Sequence, residues 1–162
     1  SRLISPALGS VVAVQRAPLL TPASLRWRTA GHSVQFGAVD LMWRTIDGPA
    51  DAAATMAETL LDDVLAPLVD RMLSAATLSP QVMWGNVISA ANGAVTVLGM
   101  TAPALVEVGR RVVSALARTA PLRDTAVIDG ENFRRRSCCL FYQAPHGGLC
   151  GDCVQQASSP SH

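Results

Sequence analysis

The sequence predicts an α+β domain, mainly helical, with a small antiparallel β-hairpin or sheet and a C-terminal cysteine-rich loop. Three observations predict it. Apolar residues recur at helical spacing through much of 50–116, residues 25–39 alternate apolar and polar about a turn, and all four cysteines fall within sixteen residues, Cys138 to Cys153. Apolar residues make up 49% of the 162 and charged residues 15%, enough for one sizeable core and too little length for two. The expected organisation is a single domain over residues 1–153, with the cysteines carried by segment 130–153 and a polar tail at 154–162.

Residues 2–14 are apolar with little alternation and read as a short buried helix, stopped by Pro18 and Pro22. Leu25-Arg26-Trp27-Arg28-Thr29 and Ser33-Val34-Gln35-Phe36-Gly37-Ala38-Val39 flank Ala30-Gly31-His32 and read as a hairpin, with Leu25, Trp27, Val34 and Phe36 expected to face the core. Leu41-Met42-Trp43 would extend that sheet or dock on it, ahead of the breaker Asp47-Gly48-Pro49. From Ala50 to about Ala76, Met56, Leu60, Leu61, Val64, Leu65, Leu68, Met72 and Leu73 line one helical face opposite Glu58, Asp62, Asp63 and Asp70. Pro67 lies inside this helix, lacks an N–H and crowds the carbonyl of Asp63, so a kink is expected there.

Ser79 caps, and Pro80 opens, a helix running to about Leu98. Gly85, Ser89 and Gly93 fall four apart on it and make a smooth ridge that another backbone could approach closely. A third helix, begun at Thr101 and Pro103, turns Leu105, Val108, Val112, Val113 and Leu116 inward; Pro121 ends it, and residues 122–153 read as loop.

All thirteen basic residues are arginine, and the formal net charge is +1, which gives no support to nucleic-acid binding by bulk electrostatics. No charged residue occurs between Met72 and Glu107, which raises the question of a membrane span. Pro80, Gln81, Asn86, Asn92 and Pro103 argue against one, since polar groups are expensive in hydrocarbon. The expectation is no transmembrane span, with room left for peripheral membrane association. No ordered signal peptide is visible, so the default compartment is cytoplasmic. Close-set cysteines there are more often metal ligands or redox thiols than structural disulfides.

The cysteines form an adjacent pair, Cys138-Cys139, then ten residues, then Cys150-Gly151-Asp152-Cys153. A Cys-x-x-Cys turn brings two thiolates onto one metal readily. Adjacent cysteines are rarer ligands, because neighbouring side chains diverge in extended chain and the backbone must be specially turned. Pro145, Gly147 and Gly148 give the intervening loop its turns. Spacing alone leaves a 2Fe–2S cluster, a four-thiolate zinc site, and disulfides or free thiols all open.

Arg135-Arg136-Ser137-Cys138-Cys139-Leu140-Phe141-Tyr142 followed by Gly147-Gly148-Leu149-Cys150-Gly151-Asp152-Cys153 resembles the C-terminal iron–sulfur motif of the FhuF-type ferric-siderophore reductases. Leu78-Ser79-Pro80-Gln81-Val82-Met83-Trp84-Gly85-Asn86-Val87 looks like the Trp-Gly-Asn helix start of those proteins, and the segment around Leu25-Arg26-Trp27-Arg28 is loosely similar. The resemblance implies a ferric-reductase-like domain whose Cys138, Cys139, Cys150 and Cys153 hold a 2Fe–2S cluster of about −2 charge when oxidised. It also implies a cytoplasmic oxidoreductase that takes electrons from a donor not named by the sequence and passes them to a ferric, hydroxamate-type siderophore. Members are usually longer at the N-terminus, so this chain is expected to be N-terminally truncated, with part of the substrate site outside it. No acid, base or nucleophile is needed for such a reaction, and no Ser-His-Asp or paired-carboxylate constellation is evident.

Among the remaining candidates, Arg134, Arg135 and Arg136 could attract a siderophore or tune the cluster, and one of the three is expected to point inward. His146 lies in the inter-cysteine loop, where it reads as a neighbour of the cluster rather than a ligand. Trp84 reads as core, and Asn86, an amide on an apolar helix, is expected to find a partner and brace the cysteine loop. Asp62, Asp63 and Asp70 read as a solvated face; His32 and His162 carry no signal. The alternatives are a binding protein with a structural four-cysteine zinc site, and a 2Fe–2S shuttle or sensor serving a protein partner.

Overall fold

The computed structural model describes residues 2–31 and 33–154; His32, His162 and the tail beyond residue 154 lie outside the described residues. The apolar N-terminal segment forms α1 (Ile4–Val14), which buries Ile4, Ala7, Leu8, Val11 and Val12 at the helical spacing of one face. Gln15 adopts a left-handed conformation, and its N–H closes on the Val11 carbonyl at 3.1 Å, so the helix ends there, before either proline. The chain continues as β1 (Arg16–Leu19), which pairs antiparallel with β4 (Met42–Thr45), setting Pro18 opposite Trp43. Leu41-Met42-Trp43 therefore does not extend the sheet of residues 25–39, since Met42 and Trp43 belong to this separate pair; β1 is not evident from sequence, because a four-residue strand carries too few positions to show a period. A proline in β1 is tolerated because the sheet has only two strands, and Pro18 lies on an edge.

The expected hairpin is present as β2 (Leu25–Ala30) and β3 (Ser33–Ala38), with Trp27 opposite Phe36 and Thr29 opposite Val34. The two-residue turn uses Gly31 at φ +59°, a conformation that costs glycine little. Its predicted inward face is corrected by the structure. Leu25 packs on the core, but Trp27, Val34 and Phe36 are exposed, because among the described residues this sheet has only two strands and pairs with no other. Alternation located the strands and their shared face; it could not say whether another layer lies upon that face.

The long helix is broken into α2 (Gly48–Met56), a π-helical stretch Ala57–Leu65 and α3 (Ala66–Ala75). The widened turns lie just ahead of Pro67, where the Ala66 N–H reaches back five residues to the Leu61 carbonyl. A proline that cannot donate to the fourth carbonyl behind it is accommodated by this change of register rather than by a simple bend. Asp62, Asp63 and Asp70 face solvent, as expected.

The helix α4 (Pro80–Thr101) begins with Ser79, whose Oγ accepts from the Val82 N–H at 3.3 Å. It is the one helix, among the described residues, long and apolar enough by length and composition to cross a membrane. It packs on α1 and, through Val95 and Gly109, on α5 (Val106–Leu116). A short 3-10 turn, Pro103–Leu105, precedes α5, which in turn covers α2. Leu8, Met56, Leu60, Leu61, Ile88, Leu116 and Leu122 are fully buried in one continuous core, and Trp84 joins it.

The segment expected to be loop contains a further hairpin, β5 (Ala126–Asp129) and β6 (Asn132–Arg135), turned at Gly130 with φ +56°. The two-residue loop is Gly130-Glu131, with glycine in the left-handed position, and the four-residue strands on either side carry too few positions to show a period. Arg110 of α5 pairs with Glu131 at this turn. The hairpin packs on α4 and delivers the chain to the first cysteine pair.

Candidate metal centre

The end of β6 is fixed to α4 by side chains from both. Arg135 is almost completely buried, 2% exposed. Its guanidinium donates from Nη1 to Asn86 Oδ1 at 2.8 Å and from Nη2 to the Val82 carbonyl at 3.4 Å. Ser137 Oγ donates to the Gln81 carbonyl at 2.9 Å. Gly85 lies between these contacts: a Cβ there would sit 2.6 Å from Ser137 Oγ and 3.1 Å from Arg135 Nη2. The glycine lets the cysteine-bearing segment lie directly against the helix. Ser89, one turn further on, donates to Asp152 Oδ2 at 2.6 Å, and the Arg135 N–H meets the Asp152 carbonyl at 3.4 Å. Gln81, Val82, Gly85, Asn86 and Ser89 thus form one ladder down a face of α4. The smooth ridge expected at Gly85 and Ser89 is used; Gly93 meets nothing within 4 Å.

The special turn required by an adjacent pair of cysteines is at Leu140, which adopts φ +63°, in the left-handed region uncommon for a branched side chain. This turn aims two amides at sulfur. The Leu140 N–H faces Cys138 Sγ and the Phe141 N–H faces Cys139 Sγ, each at 3.4 Å. The loop then closes tightly, with the Gly147 N–H on the Ala144 carbonyl at 2.8 Å. A Cβ on Gly147 would lie only 1.8 Å from the Phe141 carbonyl oxygen. The second pair is turned by the Cys153 N–H on the Cys150 carbonyl at 3.1 Å.

Folding therefore brings Cys139 and Cys150, one from each half of the motif, to a sulfur–sulfur separation of 3.4 Å. Cys138 is half-buried and Cys153 is buried. Among the described residues, no three His, Cys, Asp or Glu side chains are already gathered about a point that would hold a metal ion. The thiols nevertheless fit an iron–sulfur group in chemistry and setting. Four soft donors are present, in two pairs, and main-chain N–H groups face two of the sulfurs where thiolate charge would reside.

The two close thiols differ. Burial pushes the Cys139 thiol up, but the Phe141 N–H, the hydrogen bond with Cys150 and the charge of Arg135 outweigh it and hold it below the ordinary thiol value. Burial, the same hydrogen bond and the neighbouring Cys139 charge push Cys150 up to about 11. The pair is arranged to share one proton.

Arg135 is the arginine that points inward, while Arg134 and Arg136 are exposed. His146 is exposed in the loop at φ +62°. Asn86 braces the cysteine segment through Arg135, as expected of a polar amide on this helix. Sequence reasoning missed Ser137 and Asp152 as anchors: Ser89, a polar interruption of an apolar helix, could have signalled Asp152, whereas Ser137 meets a main-chain carbonyl that any residue at position 81 would offer.

Hairpin, helix ladder and thiol pairs together make a centre that suits an iron–sulfur group. Residues 135–155 match the family described as the FhuF 2Fe-2S C-terminal domain. Over that segment the chain is similar to the C-terminal domain of the FhuF type, and its cofactor is a 2Fe–2S cluster. A comparison with curated proteins found no match.

Proposed function

We propose that this chain is an electron-transfer protein that reduces ferric iron held by a hydroxamate-type siderophore, so that ferrous iron is released in the cytoplasm. Cys138, Cys139, Cys150 and Cys153 hold the cluster in this reading. The cluster, when bound, supplies a one-electron carrier. One electron comes from an external donor and one ferric ion becomes ferrous, so the reaction balances with no bond made to protein. Ferric iron is a hard cation held tightly by anionic oxygen donors, and its ferrous form is held much less tightly, so a single electron suffices to loosen the chelate.

The observation that carries the reading is the placement of the thiols on an exposed rim. Cys139 and Cys150 are half-buried, and Phe141, Tyr142 and Leu149 between them are exposed. A chelate could reach this edge without entering the core. The protein's own groups would seat the motif on α4, aim N–H donors at sulfur and keep the positive charge of Arg135 beside it.

The test is an anaerobic visible and EPR spectrum before and after dithionite, with iron and sulfide assayed, followed by ferric hydroxamate and a ferrous-specific chelator. A chromophore that bleaches, a one-electron EPR signal, two irons per chain and ferrous capture at a rate set by protein concentration are expected. A colourless protein holding one zinc would overturn the reading. A bleaching protein that leaves ferric chelates untouched would confine it to shuttling or sensing for a protein partner.

A further inference from the structure

We infer that Arg135 is the buried counter-charge of the cluster, a positioning residue that raises its reduction potential while clamping its binding segment to α4. The inference rests on the presence of the 2Fe–2S cluster and deepens the redox reading given above.

Arginine is almost never fully buried without an acidic partner. Arg135 is 2% exposed, yet among the described residues its guanidinium forms no ion pair. Its two recorded partners, Asn86 Oδ1 and the Val82 carbonyl, are neutral, and Nε has no partner at all. A cation so placed lowers stability unless something negative lies near it. The negative charges in its surroundings are the Asp152 carboxylate, which Ser89 engages and which forms no ion pair with the guanidinium, and the thiolates of the motif. Arg135 is three residues from Cys138, its main-chain N–H meets the carbonyl of Asp152 beside Cys153, and its guanidinium shares the Gly85 surface with Ser137, the residue before Cys138. The residue thus lies between α4 and the segments that carry the two cysteine pairs.

Nε and Nη2 lie 3.4 Å and 3.1 Å from the position of a Gly85 Cβ, so the guanidinium is packed flat on the helix. Its role towards the cluster is accordingly through charge, and its hydrogen bonds serve the clamp. Oxidised, a four-thiolate 2Fe–2S centre carries about −2, and one electron takes it to about −3. A buried positive charge favours the more negative state, so it raises the potential; burial spares it the screening that weakens Arg134 and Arg136.

The experiment is an anaerobic redox titration with dithionite as reductant, followed by EPR, on reconstituted wild type, Arg135→Met, Arg135→Lys and the double control Arg134→Met/Arg136→Met. Arg135→Met is expected to shift the reduction equilibrium about tenfold against the reduced state, 59 mV for one electron. Arg135→Lys should recover most of the shift yet lose cluster faster, since an ammonium cannot span Asn86 and Val82 together. The double control should shift little, and less still at high salt. An unchanged potential in Arg135→Met would overturn the inference, as would a larger shift in the double control. Should Arg135→Met hold no cluster, Asn86→Asp sets a carboxylate against the same guanidinium with its hydrogen bond retained, and an unshifted potential there is equally fatal. Because the titration uses no ferric substrate, failure of siderophore reduction leaves this result standing, and the two failures are distinguishable.

Discussion

Ser89 Oγ lies 2.6 Å from Asp152 Oδ2, so a hydroxyl in the middle of α4 holds the residue that precedes the last cysteine, 63 positions along the chain. The contact is half-buried and its acceptor is a carboxylate, a type of hydrogen bond that contributes about 1.5–3 kcal/mol. Removing it should loosen the second cysteine pair without touching the core. Ser89→Ala is therefore expected to keep its far-UV spectrum, while iron is lost to a chelator roughly tenfold faster, the rate equivalent of about 1.4 kcal/mol. Stopped-flow bleaching with excess chelator measures this, and an unaltered rate would mean that Asp152 is held adequately by its backbone.

Gly147 and Gly148 make a sharper comparison, because they are neighbours with opposite surroundings. A Cβ on Gly147 meets the Phe141 carbonyl at 1.8 Å, a backbone atom that cannot swing away, whereas nothing lies within 4 Å of Gly148. Gly147→Ala must open the loop between the cysteine pairs. Its iron content after reconstitution should fall below half that of wild type, and Gly148→Ala should load normally. Equal loading of both would show that the loop closes differently around the bound cluster.

Much of this architecture is legible from residue order, and the reasons for the exceptions are physical. The helices announce themselves by long apolar periods, as in α4 behind its Ser79 cap, and the cysteine spacing marks the centre. Gly31 and the alternation about it place β2 and β3. Burial of that hairpin was not legible, since Trp27 and Phe36 would look the same beneath another layer or beside open solvent. The strands β1, β4, β5 and β6 have four residues each, too few to show a period. The clamp was half visible: Asn86 and the Gly85–Ser89 ridge stand out on an apolar helix, but only folding reveals that Arg135, Ser137 and Asp152 are what they receive. Partner identity is a long-range property that local patterning does not encode.

Leu122 joins the helical core to the hairpin that carries the centre, and it is completely buried. Leu122→Ala removes packing on both sides at once. The expected cost is about 2–5 kcal/mol of global stability, read as a lowered urea midpoint with an unchanged slope. Iron loading of the folded fraction should be preserved, in contrast to Gly147→Ala. A change in slope would instead indicate that the hairpin and core unfold separately.

The unequal thiols predict an order of reaction in the metal-free protein. Cys139, held low by the Phe141 N–H, the Cys150 thiol and Arg135 against the opposing effect of burial, should form its thiolate at lower pH than Cys150 does. Cys150, pushed up to about 11, should remain a thiol until the solution is strongly alkaline. The thiolate is the nucleophile, so iodoacetamide should label Cys139 first, and the ratio of Cys139 to Cys150 labelling should fall as pH rises towards about 10. Alkylating Cys139 removes the charge and hydrogen bond that raise Cys150, so the second step should accelerate once the first is complete. Arg135→Met takes away one of the influences that lower Cys139 and should move its labelling profile to higher pH. Peptide mapping by mass spectrometry across the pH range separates these outcomes. Equal labelling of the two cysteines at neutral pH would show that the 3.4 Å contact is not kept in the metal-free protein.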